Sequence, residues 1–460
     1  MRGETSWSYR PYRPPLIDVG DIYICRVAPK GTEVEIEWLP LDGVSAYTVR
    51  YGLRGESERE ILTVSGTSVK LSGLCDECDY EVTVEAGNLH SRTRLFRTGF
   101  VPGDSVINYL HPDDEAYAFS GRALCSPSMV RHPDGYLLAS MDVFRGDGPQ
   151  DLTLIFRSDD DGKSWHYVSE LFPCFWGKMF LHRGSLYMLA CNTEYGDLLI
   201  GRSDDGGRTF TKPVTLLRGS CGHKQPGVHK NPQPVVEYKG RLWETLEWGS
   251  WAEGYHAAMC MSVPVDADLL DPSAWAFTYP IPYDASWEGA VKGGNPCCIE
   301  GCMTVAPDGE LYNVMRYCIG GDCTPSYGRA VVMKPDIEHP EAPLAFDRVI
   351  DFPGNHVKFE IRYDETSRRY WSIVCYLCPG HTTGRNLLAL ISSEDMWNWK
   401  LERILLDYRD CPEAVVGFQY VDFIIEGADI IYQCRTAFNC PINFHDANYS
   451  TFHRIRDFRG

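Results

Sequence analysis

The feature that most restricts the fold of this 460-residue chain is a short turn signal between two apolar runs, which recurs six times. The copies are His132-Pro133-Asp134-Gly135-Tyr136-Leu137, His182-Arg183-Gly184-Ser185-Leu186, Tyr238-Lys239-Gly240-Arg241-Leu242, Pro307-Asp308-Gly309-Glu310-Leu311, Tyr363-Asp364-Glu365-Thr366 and Glu426-Gly427-Ala428-Asp429-Ile430. Each reads as a β-hairpin, and successive copies lie roughly 50 to 70 residues apart, so six blades with inserts of uneven length are expected. A second motif, S-x-D-x-G-x-[ST]-[WF], occurs at Ser158–Trp165 and Ser203–Phe210, with a degenerate copy lacking the glycine at Ser393–Trp399. Its Asp and Gly close a tight turn and its aromatic packs beneath, a structural device rather than a catalytic one.

The length exceeds what one compact core usually holds, so two unequal units are expected. A 44 % hydrophobic content supplies the cores, while 42 glycines and 29 prolines call for many turns. Before the repeats, Val34-Glu35-Ile36-Glu37-Trp38, Tyr47-Thr48-Val49-Arg50-Tyr51 and Tyr80-Glu81-Val82-Thr83-Val84 alternate as half-buried strands do. The expected fold class is all-β, a small β-sandwich followed by a six-bladed β-propeller. Residues 1–16 form an extension, 17–100 the sandwich and 101–460 the propeller, with the sandwich separable by deletion because it buries its own core.

A net charge of −19 opposes an extended nucleic-acid contact. No window resembles a membrane-spanning helix and no leader is visible, so a cytoplasmic protein with its 18 cysteines reduced is expected. Cys75-x-x-Cys78 and the cluster Cys297, Cys298, Cys302, Cys318 and Cys323 lack the closed set of four ligands that structural zinc needs. No metal and no cofactor are expected, and oligomerisation is left open.

The order of strands between 17 and 98, with Trp38 in the second and Tyr80 placed as a corner tyrosine, resembles a fibronectin type III domain. The six hairpins with their Asp-Gly motifs, known as Asp boxes, resemble the sialidase superfamily over about residues 105 to 458. Lys358-Phe359-Glu360-Ile361-Arg362, Arg385-Asn386-Leu387, Gly417-Phe418-Gln419-Tyr420-Val421-Asp422 and His445-Asp446-Ala447-Asn448-Tyr449 are similar to a bacterial sialidase-like group of mostly unassigned substrate. Sialidases attack with a tyrosine assisted by a glutamate and clamp the sugar carboxylate with arginines.

That resemblance implies Tyr420 as nucleophile, Glu300 as its base, and Arg316 and Arg385 as anion-binding groups, with Arg362 and Arg435 in reserve. Gln419, Asp422 and Lys358 fall in the matching segments and join the expected substrate-binding set. Asp142, flanked by apolar residues whose burial would raise its pKa, is the expected acid, ahead of Asp147 and Asp151. Cys125 stands where the family's Arg-x-Pro supplies its first arginine, and an arginine restored there is expected to improve binding of a sialic-acid analogue. Glu244 and Trp243, with Trp248 and Trp251, are expected to give the third blade a polar residue and aromatic walls.

The expected activity is therefore that of an exo-glycosidase removing a terminal, acidic sugar from an oligosaccharide or glycoside. Related propellers act on rhamnosyl-glucuronate by hydrolysis or elimination through histidine, for which His229 and His445 are the candidate bases. A non-catalytic glycan-binding propeller is the third expectation.

Overall fold

The structure, a computed structural model, describes Trp7 and residues 20–146, 148–220, 224–290, 297–318 and 327–460. Asp147 and Cys323 lie outside the described residues. Among those described, the only helical element is a 3-10 turn at Pro272–Ala274, and the fold is a β-sandwich followed by a six-bladed β-propeller.

The sandwich packs a three-stranded sheet against a five-stranded one. Strand Glu33–Trp38 buries every second residue, as its alternation demands, and Trp38, Tyr47, Tyr80, Val82, Val84 and Phe96 share the core. The Tyr80 hydroxyl accepts from the Cys75 backbone N–H at 2.9 Å, tying the loop before its strand to the sheet.

Each propeller blade is an antiparallel sheet whose first hairpin is one of the six turn signals. The innermost strands are Ala123–Arg131, Phe175–His182, Gly227–His229 continued by Val236–Tyr238, Cys297–Val305, Arg362–Asp364 and Gly417–Glu426. Ser105–Tyr109, which precedes blade 1, pairs with Tyr449–Ile455 as the outer strand of blade 6. This pairing closes the ring and leaves no seam between first and last blades.

The Asp-Gly motifs of blades 1 and 2 adopt the same turn between third and fourth strands. Asp160 accepts from the Ser164 N–H and hydroxyl at 2.9 and 2.7 Å, and Asp205 accepts from the Thr209 N–H and hydroxyl at 2.9 and 2.6 Å. Trp165 and Phe210 are buried beneath. The degenerate copy substitutes Asn398, whose amide donates to Asp395 at 2.6 Å.

Sandwich and propeller share one interior. Val106, Tyr109 and Tyr449 of the propeller lie in the sandwich core, while Tyr23 and Cys25 lie in the blade 1 core. Buried Arg26 donates to the Ile107 and Val106 carbonyls at 2.8 and 3.0 Å, and buried Arg94 pairs with Asp114 at 2.6 Å. Trp7 is fully buried in blade 2, edge-on to Phe210, its indole N–H donating to the Pro173 carbonyl at 2.9 Å.

Candidate active site

Four innermost strands carry the same irregularity. Pairing with the second strand shifts between Cys125 and Ser128, Phe175 and Lys178, Ile299 and Cys302, and Gln419 and Asp422. Inside each shift one residue has a left-handed backbone: Ser126 (φ 51°), Trp176 (56°), Glu300 (51°) and Tyr420 (55°). A bulge re-aims a side chain, and a non-glycine residue held there costs about 1–3 kcal/mol, so the surroundings must enforce it. All four side chains line a single cavity of about 300 Å³. The glycine after Glu300 is part of the device, because a Cβ on Gly301 would lie 2.1 Å from Asn313 Oδ1.

The bulges also align residues on the second strands. Asp142 pairs with Cys125, Arg316 with Ile299 and Arg435 with Gln419, each just before its bulge. Equivalent positions thus carry a carboxyl in blade 1 and guanidinium groups in blades 4 and 6.

At the cavity floor the Tyr420 hydroxyl donates to Glu300 Oε1 at 2.7 Å, and Arg316 Nη1 donates to Glu300 Oε2 at 2.5 Å and to the Tyr420 oxygen at 3.1 Å. Asn231 donates to Glu300 Oε1 at 2.8 Å. Burial works to raise the Glu300 pKa, but the charges of Arg316 and His229 and these hydrogen bonds outweigh it and hold it below the usual range. Burial and the Glu300 charge push the Tyr420 phenol up to about 12, against the pull of Arg316, Arg385 and Arg435. The resting pair is therefore a neutral phenol hydrogen-bonded to a carboxylate.

Arg385 and Arg435 complete a cationic wall. Arg385 donates to Gln419, whose amide donates to the Phe444 carbonyl at 2.5 Å; Arg435 donates to the His445 carbonyl and lies over the Tyr420 ring at 5.1 Å. Among the described residues neither guanidinium pairs with a carboxylate, and burial lowers the Arg385 pKa. Three guanidinium groups thus face two cavity carboxylates, Glu300 and Glu194, which favours an anionic ligand. His445 lies beside them with Nδ1 2.8 Å from Asp446, its pKa lowered to about 4 by burial and Arg435.

The opposite wall comes from blades 2 and 3: Trp176, Glu194, His229 and Trp251. His229 Nδ1 is 2.6 Å from Glu247 Oε2, with the two residues paired across strands, and its ring meets Trp176 edge-on at 4.6 Å. Trp251 is 51 % exposed at the rim.

Several expected site residues lie elsewhere. Asp142 does not line the cavity; it is buried behind the wall, accepting from Thr153 at 2.5 Å and from the Trp176 N–H at 2.7 Å, and burial lifts its pKa to about 7. The pKa expectation fits this burial, but the carboxyl supports the Trp176 bulge rather than facing a ligand. Asp151 is likewise pushed up to about 7 by burial and is off the cavity.

Lys358, Arg362 and Asp422 belong to a buried ionic cluster among the inner strands. Lys178 reaches Asp422 at 2.5 Å, Lys358 reaches Glu360 at 2.6 Å, and Arg362 reaches Glu360 at 3.0 Å and Asp422 at 3.3 Å. Glu244 is consumed by Lys230 at 2.5 Å, and Trp243 is fully buried in the core shared by blades 3 and 4. These charges pair with one another, as buried charges must, and none of them lines the cavity. Gln419 acts one step back, through Arg385.

Sequence reasoning missed Trp176, Glu194, Gln150 and the His229–Glu247 pairing. A signal for the first existed: Trp176-Gly177 repeats the large-residue–glycine step of Glu300-Gly301 at the same place in its blade.

No protein-family model matches the chain, and no curated protein matches it in sequence. Solved structures resemble it in fold. An alpha-L-arabinofuranosidase variant of Fusarium graminearum, in complex with an iminosugar inhibitor, is 13 % identical with a TM-score of 0.50 over 73 % of this chain and 93 % of that one. A Hadza microbial sialidase is 13 % identical with a TM-score of 0.48 over 95 % and 94 %. A polysaccharide lyase described as an ulvan lyase is 10 % identical with a TM-score of 0.45 over 96 % and 94 %. At these identities the likeness concerns fold, and any activity rests on the site.

Proposed function

We propose that the chain is a carbohydrate-active enzyme, an exo-glycosidase that removes a terminal anionic sugar through attack by Tyr420. The observation that carries this reading is the contact among Tyr420, Glu300 and Arg316 at the floor of a cavity whose adjoining wall is cationic. A neutral phenol approaches an anomeric carbon beside a carboxylate without the repulsion an anionic nucleophile would meet. As the Tyr420 oxygen bonds to that carbon, its proton passes to Glu300 Oε1, and the glycosidic C–O bond breaks. In the second half, water attacks the same carbon and Tyr420 leaves, recovering its proton from Glu300. Arg316 touches both members of the pair and steadies the phenolate character that develops between them. Arg385 and Arg435 hold the sugar's anionic group by planar, charge-assisted hydrogen bonds.

The test is a mass-spectrometric screen of intact mucin-type and plant oligosaccharides. Hydrolysis adds the mass of one water across the two products, which this reading expects, and the loss of an acidic terminal residue fixes the sugar. Products whose masses sum to that of the substrate support elimination by a histidine instead. No product, with retained glycan binding, supports a recognition propeller.

A further inference from the structure

The reaction above also needs a proton for the departing oxygen, and Asp142, buried away from the cavity, does not supply it. We propose that His229, oriented by Glu247, is the acid that protonates the leaving group, and that Trp251 is the platform on which a leaving sugar lies. This rests on the glycosidase reading and deepens it to the substrate's second half: a saccharide aglycone.

Three features of the cavity carry the inference. First, His229 is 2 % exposed and Glu247 is fully buried, yet His229 lines the cavity that holds Tyr420 and Glu300. Its Nδ1 is engaged by Glu247 at 2.6 Å, while Nε2 has no hydrogen-bond partner among the described residues. A carboxylate at one ring nitrogen fixes the tautomer and ring plane, leaving the other nitrogen to exchange a proton.

Second, the cavity is divided by charge. Arg385, Arg435 and His445 come from blades 5 and 6, whereas His229, Trp176 and Trp251 come from blades 2 and 3. With the anionic sugar drawn to the guanidinium groups, the bond to its neighbour points to the histidine side. Third, Trp251 stands at that rim half-exposed, 4.5 Å from the ring of His256 and 6.5 Å from that of His229. Its backbone N–H is held by the Tyr195 hydroxyl at 3.1 Å. An apolar ring face at a cavity mouth suits the C–H face of a sugar.

The proton accounting closes. His229 gives its Nε2 proton to the glycosidic oxygen as the C–O bond breaks, and in the second half takes a proton from the attacking water. Glu194, also on this wall, accepts from the Gln150 amide at 3.4 Å.

The test uses leaving groups of unequal need. A 4-nitrophenolate departs without protonation; a sugar hydroxyl does not. The probes are 4-nitrophenyl α-N-acetylneuraminide with sialyl-lactose, and 4-nitrophenyl β-D-glucuronide with a glucuronyl disaccharide, assayed on the full chain. His229→Asn should lower kcat/KM on the disaccharide at least about 100-fold, the lower range for general acid catalysis, and on its aryl partner less than about tenfold. Glu247→Gln should show the same asymmetry more weakly, and added imidazole should rescue His229→Ala on the disaccharide. Trp251→Ala, a change at the exposed rim, should raise KM for the disaccharide. Equal losses on both kinds of substrate in His229→Asn and Glu247→Gln would overturn the proposal while leaving the Tyr420 reading intact. Failure of the wild type on both pairs would count against the anionic-sugar reading itself, and the proposal would fall with it.

Discussion

The Tyr420 hydroxyl donates to Glu300 Oε1 across 2.7 Å although 120 residues separate the two in the chain. Both sit at bulges with φ near 50°, 55° and 51°, on the innermost strands of blades 6 and 4. On regular strands those side chains would follow the pleat; the bulges turn them to a common point. The strain is part of the site, and its stability depends on the packing around it.

Arg435 and Cys125 line the same cavity, so an arginine at position 125 would bring a second guanidinium close to that of Arg435. Cys125 is 3 % exposed, and the Arg435 charge is among those felt by its thiol. Cys125→Arg should therefore weaken binding of an acidic sugar analogue and destabilise the fold by about 1–3 kcal/mol, the range for an overpacked core. This reverses the expectation from sequence. Arg435→Met should reduce affinity roughly tenfold to a hundredfold, the loss of a charge-assisted contact worth about 1.5–3 kcal/mol. Calorimetric titration of both variants checks the pair.

Deletion of residues 1–100 should yield an unstable or aggregating propeller rather than an independent one. It would bare Val106, Tyr109 and Tyr449 and leave the Asp114 carboxylate buried without Arg94. Trp7→Ala alone should cost about 3–5 kcal/mol, the usual loss for a buried aromatic. Thermal melts against the full chain measure both.

Asp142 gives a signed pH dependence. Its pKa is near 7 when folded, because burial penalises the charge, and near the ordinary carboxyl value when unfolded. Its contribution therefore favours the native state fully below about pH 4 and is lost as pH rises through 7. Asp142→Asn removes that titration, so the difference in stability between wild type and variant should shift in the variant's favour from pH 4 to 7. Denaturant melts across that range, showing no change in the difference, would mean that Asp142 is ionised in the folded protein.

The blades were legible because turn chemistry is local: Asp-Gly and Arg-Gly steps report hairpins wherever they fold. Tyr420, Glu300, Arg316, Arg385, Arg435, His229 and His445 also proved to share one cavity. Arg362, Lys358, Asp422 and Glu244 read alike in sequence, since a charged residue in an apolar strand signals a polar neighbour without saying whether that neighbour is a ligand. Here it is another buried charge. Strand periodicity does not reveal Trp176 or Glu194, because a bulge directs the one and a loop the other; only the Trp176-Gly177 step marks the first. The shared interior of sandwich and propeller was hidden too: Tyr23 and Cys25 alternate correctly for a sandwich, yet face blade 1.

The central claim is tested most directly by turnover of the substrate from the screen in Tyr420→Phe, Glu300→Gln and the double variant. Phenylalanine keeps the ring and removes one hydroxyl, so stability should fall by only about 0.5–1.5 kcal/mol. The account predicts that each single change lowers kcat at least about 1,000-fold, with substrate binding retained, and that the double variant loses little more, because the two residues act as one unit. Near-normal turnover in folded Tyr420→Phe would contradict it.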